Sequence, residues 1–101
     1  MKILITSLLA TGLVLVTQMV TADETLAKTK GCLGCHAIDK KILGPAYKDV
    51  AAKYARQDAV EQLAQKVIHG GGGVWGQIPM PPNSVTPEEA KKLVQWILNI
   101  K

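Results

Sequence analysis

Apolar residues recur at the spacing of an α-helix in three segments of this chain. Over residues 46–55 they stand at i, i+3, i+4 and i+7, which predicts an amphipathic helix. A second stripe predicts a helix that ends before residues 70–73, because four consecutive glycines hold helical conformation only at a large entropic cost. The members of this stripe are Val60, Leu63, Ala64, Val67 and Ile68. A third stripe predicts a C-terminal helix, with the apolar face Ala90, Leu93, Val94 and Ile97.

Start signals precede two of these helices. Thr86 is a candidate N-cap, Pro87 suits the first helical position, and Glu89 completes a capping box. Asp58 stands three residues before Glu61 and predicts a second capping box, with Asp in place of Ser or Thr.

A further short helix is predicted at Asp23–Lys30. Its first turn is acidic, its last turn carries Lys28 and Lys30, and Gly31 follows as a C-cap, all of which suits the helix dipole. No alternating strand pattern, repeat or linker appears in the sequence. The pattern therefore predicts a single all-α domain.

The first 22 residues have a different pattern. One lysine is followed by a mainly apolar run and then by the small residues Val20–Ala22. This order is typical of a secretory signal peptide, so we expect cleavage after Ala22, within a residue or two, and a domain at 23–101 in the periplasm. The alternative is an uncleaved membrane anchor, because residues 3–22 are about long enough to span a bilayer. The polar residues of the run and its Val-x-Ala ending favour cleavage.

Composition narrows the choice of function. The 101 residues include no phenylalanine and only 4% aromatic residues, and small domains of this kind commonly need a disulfide, a metal or a cofactor. The formal charge is +4, and it falls to +3 without the predicted leader, which contains Lys2 and no acidic residue. The cationic residues are scattered along the chain rather than clustered, so nucleic-acid binding is not expected.

The candidate chemistry lies in residues 31–36, Gly-Cys-Leu-Gly-Cys-His. Two cysteines separated by two residues and followed directly by histidine form the C-x-x-C-H pattern of covalent haem attachment. The two thiols add to the two vinyl groups of one porphyrin, so they must lie on one short turn, and the adjacent imidazole is then carried beneath the iron. Cys32 and Cys35 are therefore predicted to anchor one haem c, with His36 as an iron ligand.

Two proline-containing stretches bear on this site. In the first, a backbone carbonyl near Pro45 is a candidate acceptor for the second ring nitrogen of His36, although this proline is also ordinary turn punctuation. In the second, prolines at 79, 81 and 82 hold the backbone extended around Met80. A single methionine is more often a core filler, but its rigid loop favours a thioether ligand, which raises the reduction potential of haem iron.

Three stretches together make the chain resemble a known family. They are residues 32–39 (CLGCHAID), 44–53 (GPAYKDVAAK) and 73–83 (GVWGQIPMPPN). Over nearly all of residues 23–101 the chain is similar to the small monohaem class I cytochromes c of bacterial periplasms, which are short electron carriers. The resemblance implies the cytochrome c fold, four or five helices wrapped around one covalently bound haem, with the N- and C-terminal helices crossing. It implies thioether bonds from Cys32 and Cys35, His36 as proximal ligand and Met80 as distal ligand.

The same resemblance assigns further residues around the cofactor. The Trp75 indole N–H would bond a haem propionate. Lys66 stands where family members often have a propionate-contacting arginine, and it departs from that pattern because lysine lacks the bidentate guanidinium. Asn83 is similar to the residue that steadies the Met80 side. His69 has no role in the family pattern, and we expect it to face solvent at a helix C-terminus.

The expected function is electron transfer. With two protein ligands on the iron no position is left for a substrate, so we expect a soluble periplasmic electron carrier rather than an enzyme. As a monomer it would meet redox proteins in small, transient encounters, with a terminal oxidase, a nitrite reductase, a peroxidase or a cytochrome bc1-like donor. No small-molecule substrate is expected. Lys40 and Lys41 are candidate charges at the rim of the exposed haem edge.

Three alternatives share parts of this pattern. A haem sensor or peroxidase would keep every feature except Met80 as the sixth ligand. A thiol–disulfide protein would use the C-x-x-C pair, but such motifs accompany a βαβ pattern that this sequence lacks. A zinc site would have to be built from the two cysteines, His36 and His69, and two of these ligands are adjacent in the chain.

Overall fold

The structure, a computed structural model, describes residues 9–13 and 22–101. Residues 9–13 form neither helix nor strand, and their two leucines are exposed. The rest of the predicted leader, residues 1–8 and 14–21, lies outside the described residues. In the part that the structure describes, no helix has the length and apolar character needed to cross a membrane.

Four α-helices and one 3-10 turn form the domain. In chain order they are α1 (Ala22–Thr29), the 3-10 turn (Cys32–Gly34), α2 (Tyr47–Lys53), α3 (Val60–His69) and α4 (Pro87–Leu98). Helix α4 packs against each of the other three helices, so the N- and C-terminal helices are in contact. No β-strand is present among the described residues, which contain one isolated antiparallel bridge between Gly71 and Met80. The all-α prediction is confirmed.

The helices pack through small aliphatic side chains. Ala27, Ala64 and Ala90 are at most 1% exposed and belong to one apolar cluster that joins α1, α3 and α4. Leu93 and Val94 are the largest fully buried side chains of the described residues. A core of this composition explains how the domain packs without phenylalanine.

The capping box predicted at the start of α4 is confirmed. The Thr86 N–H donates to Glu89 Oε1 at 2.9 Å, and the Glu89 N–H donates to Thr86 Oγ1 at 3.1 Å. Pro87 occupies the first turn, where its missing N–H has no helical partner to lose. The hydrogen bond from the Thr86 backbone lowers the pKa of Glu89. The helix that contacts all the others therefore has a well-defined start.

The capping box predicted at Asp58 is wrong. Helix α3 begins at Val60, with Ala59 as N-cap and no side-chain hydrogen bond to the cap. Ala59 is 1% exposed within the apolar cluster, whereas Asp58 is exposed. Burial of the alanine, rather than side-chain capping, therefore fixes where this helix starts.

Two other helix boundaries differ slightly from the prediction. Helix α2 is shorter than 46–55, because Ala46 is an extended N-cap and the chain leaves the helix at Tyr54. Helix α1 lies one residue earlier than Asp23–Lys30. The predicted stop at Gly31 is in place, since this glycine has a φ of 78° and its N–H donates to the Lys28 carbonyl at 3.1 Å.

Candidate haem site

The turn after α1 brings three side chains to one place. Gly31 takes up the left-handed conformation that lets the chain turn directly into the 3-10 segment. The N–H groups of Cys35 and His36 both donate to the Cys32 carbonyl, at 3.2 and 3.0 Å. As a result, Cys32, Cys35 and His36 line one cavity, and both cysteines are free thiols.

This cavity has a volume of about 410 Å³ and a mainly apolar lining. Helices α3 and α4 and the loop at 71–81 contribute to it, and the aliphatic members are Leu63, Val67, Leu93, Val94 and Ile97. Among the described residues, no Asp, Glu, Lys, Arg, His, Asn, Gln, Ser or Thr side chain is buried. A flat macrocycle with an apolar body needs few hydrogen bonds from such surroundings. The lining, together with two thiols and an imidazole, therefore fits a haem.

The tautomer of His36 is set by the loop that follows it. Its Nδ1 atom lies 2.8 Å from the Pro45 carbonyl oxygen, which has no hydrogen to offer, so Nδ1 carries the proton and donates it. In a neutral ring with this tautomer, Nε2 is the free acceptor, the form in which imidazole binds a metal.

Two further residues confine this ring. A Cβ atom on Gly44 would lie 2.5 Å from His36 Cε1, so a side chain at this position would displace the ring. Tyr47 stacks on the imidazole, with 4.8 Å between ring centroids and planes inclined by 20°. In the sequence, Gly44 is typical of a turn beside proline, and Tyr47 is one position of a helical stripe. Neither pattern indicates a contact with histidine.

Burial controls ionisation around Cys32. It raises the pKa of the Cys32 thiol, an effect larger than the lowering caused by a hydrogen bond with the Tyr47 hydroxyl. Burial also raises the pKa of Tyr47, and the neighbouring Cys32 raises it further. Redox-active C-x-x-C pairs need a lowered cysteine pKa, because the thiolate is the nucleophile. The surroundings of Cys32 therefore disfavour the thiol–disulfide alternative.

His69 lies apart from the two cysteines and His36. It ends α3, is exposed, and places its Nε2 atom 3.1 Å from Gln65 Oε1 in the preceding turn, which confirms the solvent-facing prediction. Within residues 9–13 and 22–101, no group of three or more His, Cys, Asp or Glu side chains is placed to hold a metal ion. The geometry thus provides no ligand set for the zinc alternative.

Backbone contacts hold the Met80 segment against the end of α3. The Gly71 N–H donates to the Met80 carbonyl at 3.0 Å, and the Met80 N–H donates to the Gly71 carbonyl at 2.7 Å. Gly70 has a φ of 75°, and a Cβ atom there would overlap the Met80 carbonyl oxygen. Glycine at position 70 is therefore required by both conformation and close backbone approach. The run of four glycines does not by itself reveal this contact.

Asn83 ties the residues after Met80 to α3. Its Nδ2 atom donates to the Val67 carbonyl at 2.9 Å and to the Pro81 carbonyl at 3.2 Å. Its backbone N–H also donates to the Val67 carbonyl, at 3.2 Å. This carbonyl belongs to the last turn of α3, where carbonyls lack helical partners. Asn83 thus closes the end of α3 and fixes the path of the loop.

Trp75 and Lys66 both line the cavity. Trp75 is 38% exposed, and the Lys53 Nζ atom lies 5.6 Å from the centroid of its ring, within the range of a cation–π contact. The same Nζ atom lies 5.9 Å from the centroid of the Tyr54 ring. Lys53 is therefore a further cation beside Trp75, and no pattern in the sequence indicates it.

Comparison with known proteins gives the same assignment. Residues 22–101 match the sequence model of the cytochrome c family. The chain is 62% identical over 81 residues to cytochrome c-552 of Hydrogenobacter thermophilus, which covers 79% of this chain and 83% of that protein. It is 56% identical over 97 residues to cytochrome c-551 of Pseudomonas aeruginosa, which covers 94% of this chain and 93% of that protein.

The fold is likewise similar to a solved structure. The crystal structure of wild-type cytochrome c552 from Nitrosomonas europaea matches with a TM-score of 0.74 and 53% identity, over 76% of this chain and 98% of that one. Cytochromes c transfer electrons through a covalently attached haem and are not enzymes. The predictions of fold, cofactor and carrier function are therefore confirmed. The chain belongs to the cytochrome c family, as an electron-transfer protein that carries one haem c bound through Cys32 and Cys35.

Proposed function

We propose that His36 and Met80 are the two axial ligands of the haem iron, so that this carrier offers no iron position to a substrate or gas. One observation carries the proposal: both residues line the same apolar cavity, and each is held there by a backbone partner. The Pro45 carbonyl leaves His36 Nε2 free, and the Gly71 backbone pairs with that of Met80. Haem iron bound there supplies one-electron oxidation and reduction.

The residues of the cavity favour the reduced state. Met80 offers a soft thioether, which suits the lower oxidation state of iron and raises the reduction potential. The aliphatic lining acts in the same direction, because an apolar environment disfavours the additional positive charge of the oxidised site. The proposed carrier therefore combines closed ligation with a raised potential.

The proposal also makes Trp75 and Lys66 partners of the haem propionates. The Trp75 indole N–H is a donor only, and Lys66 brings a compact positive charge. A Cβ atom on Gly71 would lie 3.1 Å from Lys66 Cε, so glycine at this position leaves room for the lysine side chain. Lys53, above the Trp75 ring, adds a second cation on this side.

Apolar side chains that remain exposed support a docking surface for redox proteins. Within residues 22–101 the exposed large apolar side chains all belong to two loops beside the cavity, and they are Ile42, Leu43, Val74, Trp75 and Ile78. Exposed apolar patches of this kind mark contact sites. Lys40 and Lys41 are exposed on the first of these loops and would steer a monomeric carrier toward acidic partner surfaces. The candidate redox partners with such surfaces are a terminal oxidase, a nitrite reductase, a peroxidase and a cytochrome bc1-like donor.

The proposed location is the periplasm, after removal of residues 1–22. The match to the family begins at residue 22, next to the predicted cleavage site. The similarity to the Pseudomonas aeruginosa protein covers 94% of this chain, more than residues 22–101 can supply, so it extends into the leader. Export by the general route would deliver the soluble domain at 23–101.

Replacing Met80 with alanine is expected to open the iron. The ferrous variant should bind carbon monoxide at neutral pH, and the ferric variant should lose the weak near-infrared band of methionine-bound iron. An Ile78→Ala variant is a matched control, because Ile78 lies on the same loop and is 66% exposed. Ready binding of carbon monoxide by the wild-type protein would contradict the proposal.

The near-infrared band of methionine-bound iron also tests whether the backbone contacts of Gly70 and Gly71 hold Met80 in place. Gly70→Ala introduces an unfavourable φ and an overlap with Met80, whereas Gly73→Ala meets a similar φ of 92° but no atom within 4 Å. Both substitutions place a side chain at a positive φ, and at Gly70, with φ 75° and ψ −173°, this costs roughly 1–3 kcal/mol. Only Gly70→Ala is expected to weaken the band. Equal losses in the two variants would assign the effect to backbone strain alone.

Trp75→Phe should lower the reduction potential. The substitution keeps an aromatic ring but removes the N–H donor, so less of the propionate charge is compensated and the oxidised state is favoured. Potentiometric titration measures the effect. Trp96→Phe is the control, because Trp96 does not line the cavity. An unchanged potential in Trp75→Phe would argue against the propionate contact.

Reversing the charges of Lys40 and Lys41 should slow electron transfer to an acidic partner. Replacing both with glutamate is expected to lower the rate roughly tenfold at low salt, because attraction becomes repulsion. Stopped-flow oxidation by a negatively charged copper protein measures the rate. The control replaces Lys92 and Lys101, which are exposed and outside the cavity, and changes the net charge equally. Similar losses in both double variants would contradict docking beside the cavity.

The exported protein should have the mass of residues 23–101 plus one haem, within a residue or two. Mass spectrometry of the periplasmic fraction measures this. Ala22→Arg should retain the leader, because it destroys the small-residue cleavage site. A wild-type protein of full mass in the membrane fraction would favour the anchor instead.

A further inference from the structure

Tyr47 makes a contact with His36 that attachment and ligation of the haem do not require. It is the first residue of α2 and is 4% exposed. Its ring faces the imidazole with centroids 4.8 Å apart and planes inclined by 20°. Two flat rings in contact restrict each other's tilt, because neither can rotate out of its plane without displacing the other.

Tyr47 is itself held from several directions. Its backbone N–H donates to the Ala37 carbonyl at 2.9 Å. Trp96 of α4 meets the tyrosine ring edge-on, with centroids 5.6 Å apart and planes inclined by 82°. The tyrosine ring therefore links the imidazole to the helix that packs against all the others.

The other contacts of His36 leave its rotation only loosely defined. A hydrogen bond to a carbonyl tolerates a broad range of angles, so the Pro45 contact selects the tautomer more strictly than the tilt of the ring. Gly44 provides space at the Cε1 edge of the imidazole. Tyr47 covers a face of the ring, which is the contact that restrains tilt.

We infer that Tyr47 is a positioning residue that sets the rotation of the His36 ring plane relative to the porphyrin. The inference rests on the proposed function, in which His36 Nε2 binds the iron. In ferric low-spin iron with one imidazole and one thioether ligand, the orientations of both ligands govern how unpaired spin is distributed over the porphyrin. The spread of the haem methyl resonances in the proton NMR spectrum reports that distribution.

Variants of the haem-loaded protein distinguish the effect of the tyrosine ring on the haem methyl shifts from the effect of its hydroxyl. Tyr47→Phe keeps the stacked ring and should keep the wild-type spread. Tyr47→Leu keeps an apolar side chain but removes the flat face, so the spread should change by clearly more than in Tyr47→Phe, with the near-infrared methionine band retained. Tyr54→Leu is the matched control, because Tyr54 is similarly buried at 7% exposure but does not line the cavity. It should show the wild-type spread.

An unchanged spread in Tyr47→Leu, or an equal change in Tyr54→Leu, would overturn the inference. If Tyr47→Leu yields no haem-loaded protein, Trp96→Leu decides, because it removes the edge-on support at a partly exposed position. That variant should shift the same resonances in the same direction by a smaller amount, and no shift would overturn the inference.

The ligation of the iron by Met80 and the positioning of His36 by Tyr47 are tested by different measurements. Failure of the proposed ligation would appear in the wild-type protein, as a missing methionine band or ready carbon monoxide binding. Failure of the positioning role of Tyr47 would appear only in the comparison between variants.

Discussion

The hydrogen bond between His36 Nδ1 and the Pro45 carbonyl is the interaction on which the proximal side of the site depends. It decides which ring nitrogen is free for a metal. To form it, the chain must return to the histidine within nine residues, and this return places Gly44 against the imidazole and starts α2 at Tyr47. A side chain at Gly44 would displace the ring from its acceptor. The loop at 37–46, which has no regular secondary structure, is therefore as strictly constrained as the helices around it.

The Met80 side is held in a different way, by backbone rather than by ring contacts. Pairing with Gly71 joins the loop to the end of α3, and Asn83 makes a second connection to the same helix. The end of α3 therefore also holds the segment that carries the proposed distal ligand, Met80. Because the haem is attached covalently beside His36, local opening at the end of α3 would release Met80 and leave His36 in place. The two sides of the site therefore differ in how independently they can open.

Local patterns in the sequence predict those features that depend on near neighbours. The C-x-x-C-H spacing, the apolar stripes and the capping box of Thr86 involve residues within a few positions of each other, and the structure agrees with them. The box at Asp58 has the same local pattern and is wrong, because the burial of Ala59 depends on helices distant in sequence. The contact of Gly70 with Met80 depends likewise on the path of the loop between them, because the two residues are ten positions apart. Periodicity places Tyr47 on the apolar stripe of a predicted helix, and only the fold shows that the face of its ring meets His36.

The aromatic residues of the domain are few, and two of them lie at the cavity. Alanine, leucine and valine fill most of the contacts between helices, together with Tyr54, while Tyr47 and Trp75 line the cavity. Tyr47 and Trp96 form a chain of rings from His36 to α4, and the Lys53 Nζ atom lies 5.9 Å from the ring centroid of Tyr54 and 5.6 Å from that of Trp75. Large rigid rings placed beside a cofactor restrict the side chains that hold it. A domain this small therefore relies on its cofactor for much of its core, and uses its few aromatic rings to position the residues around it.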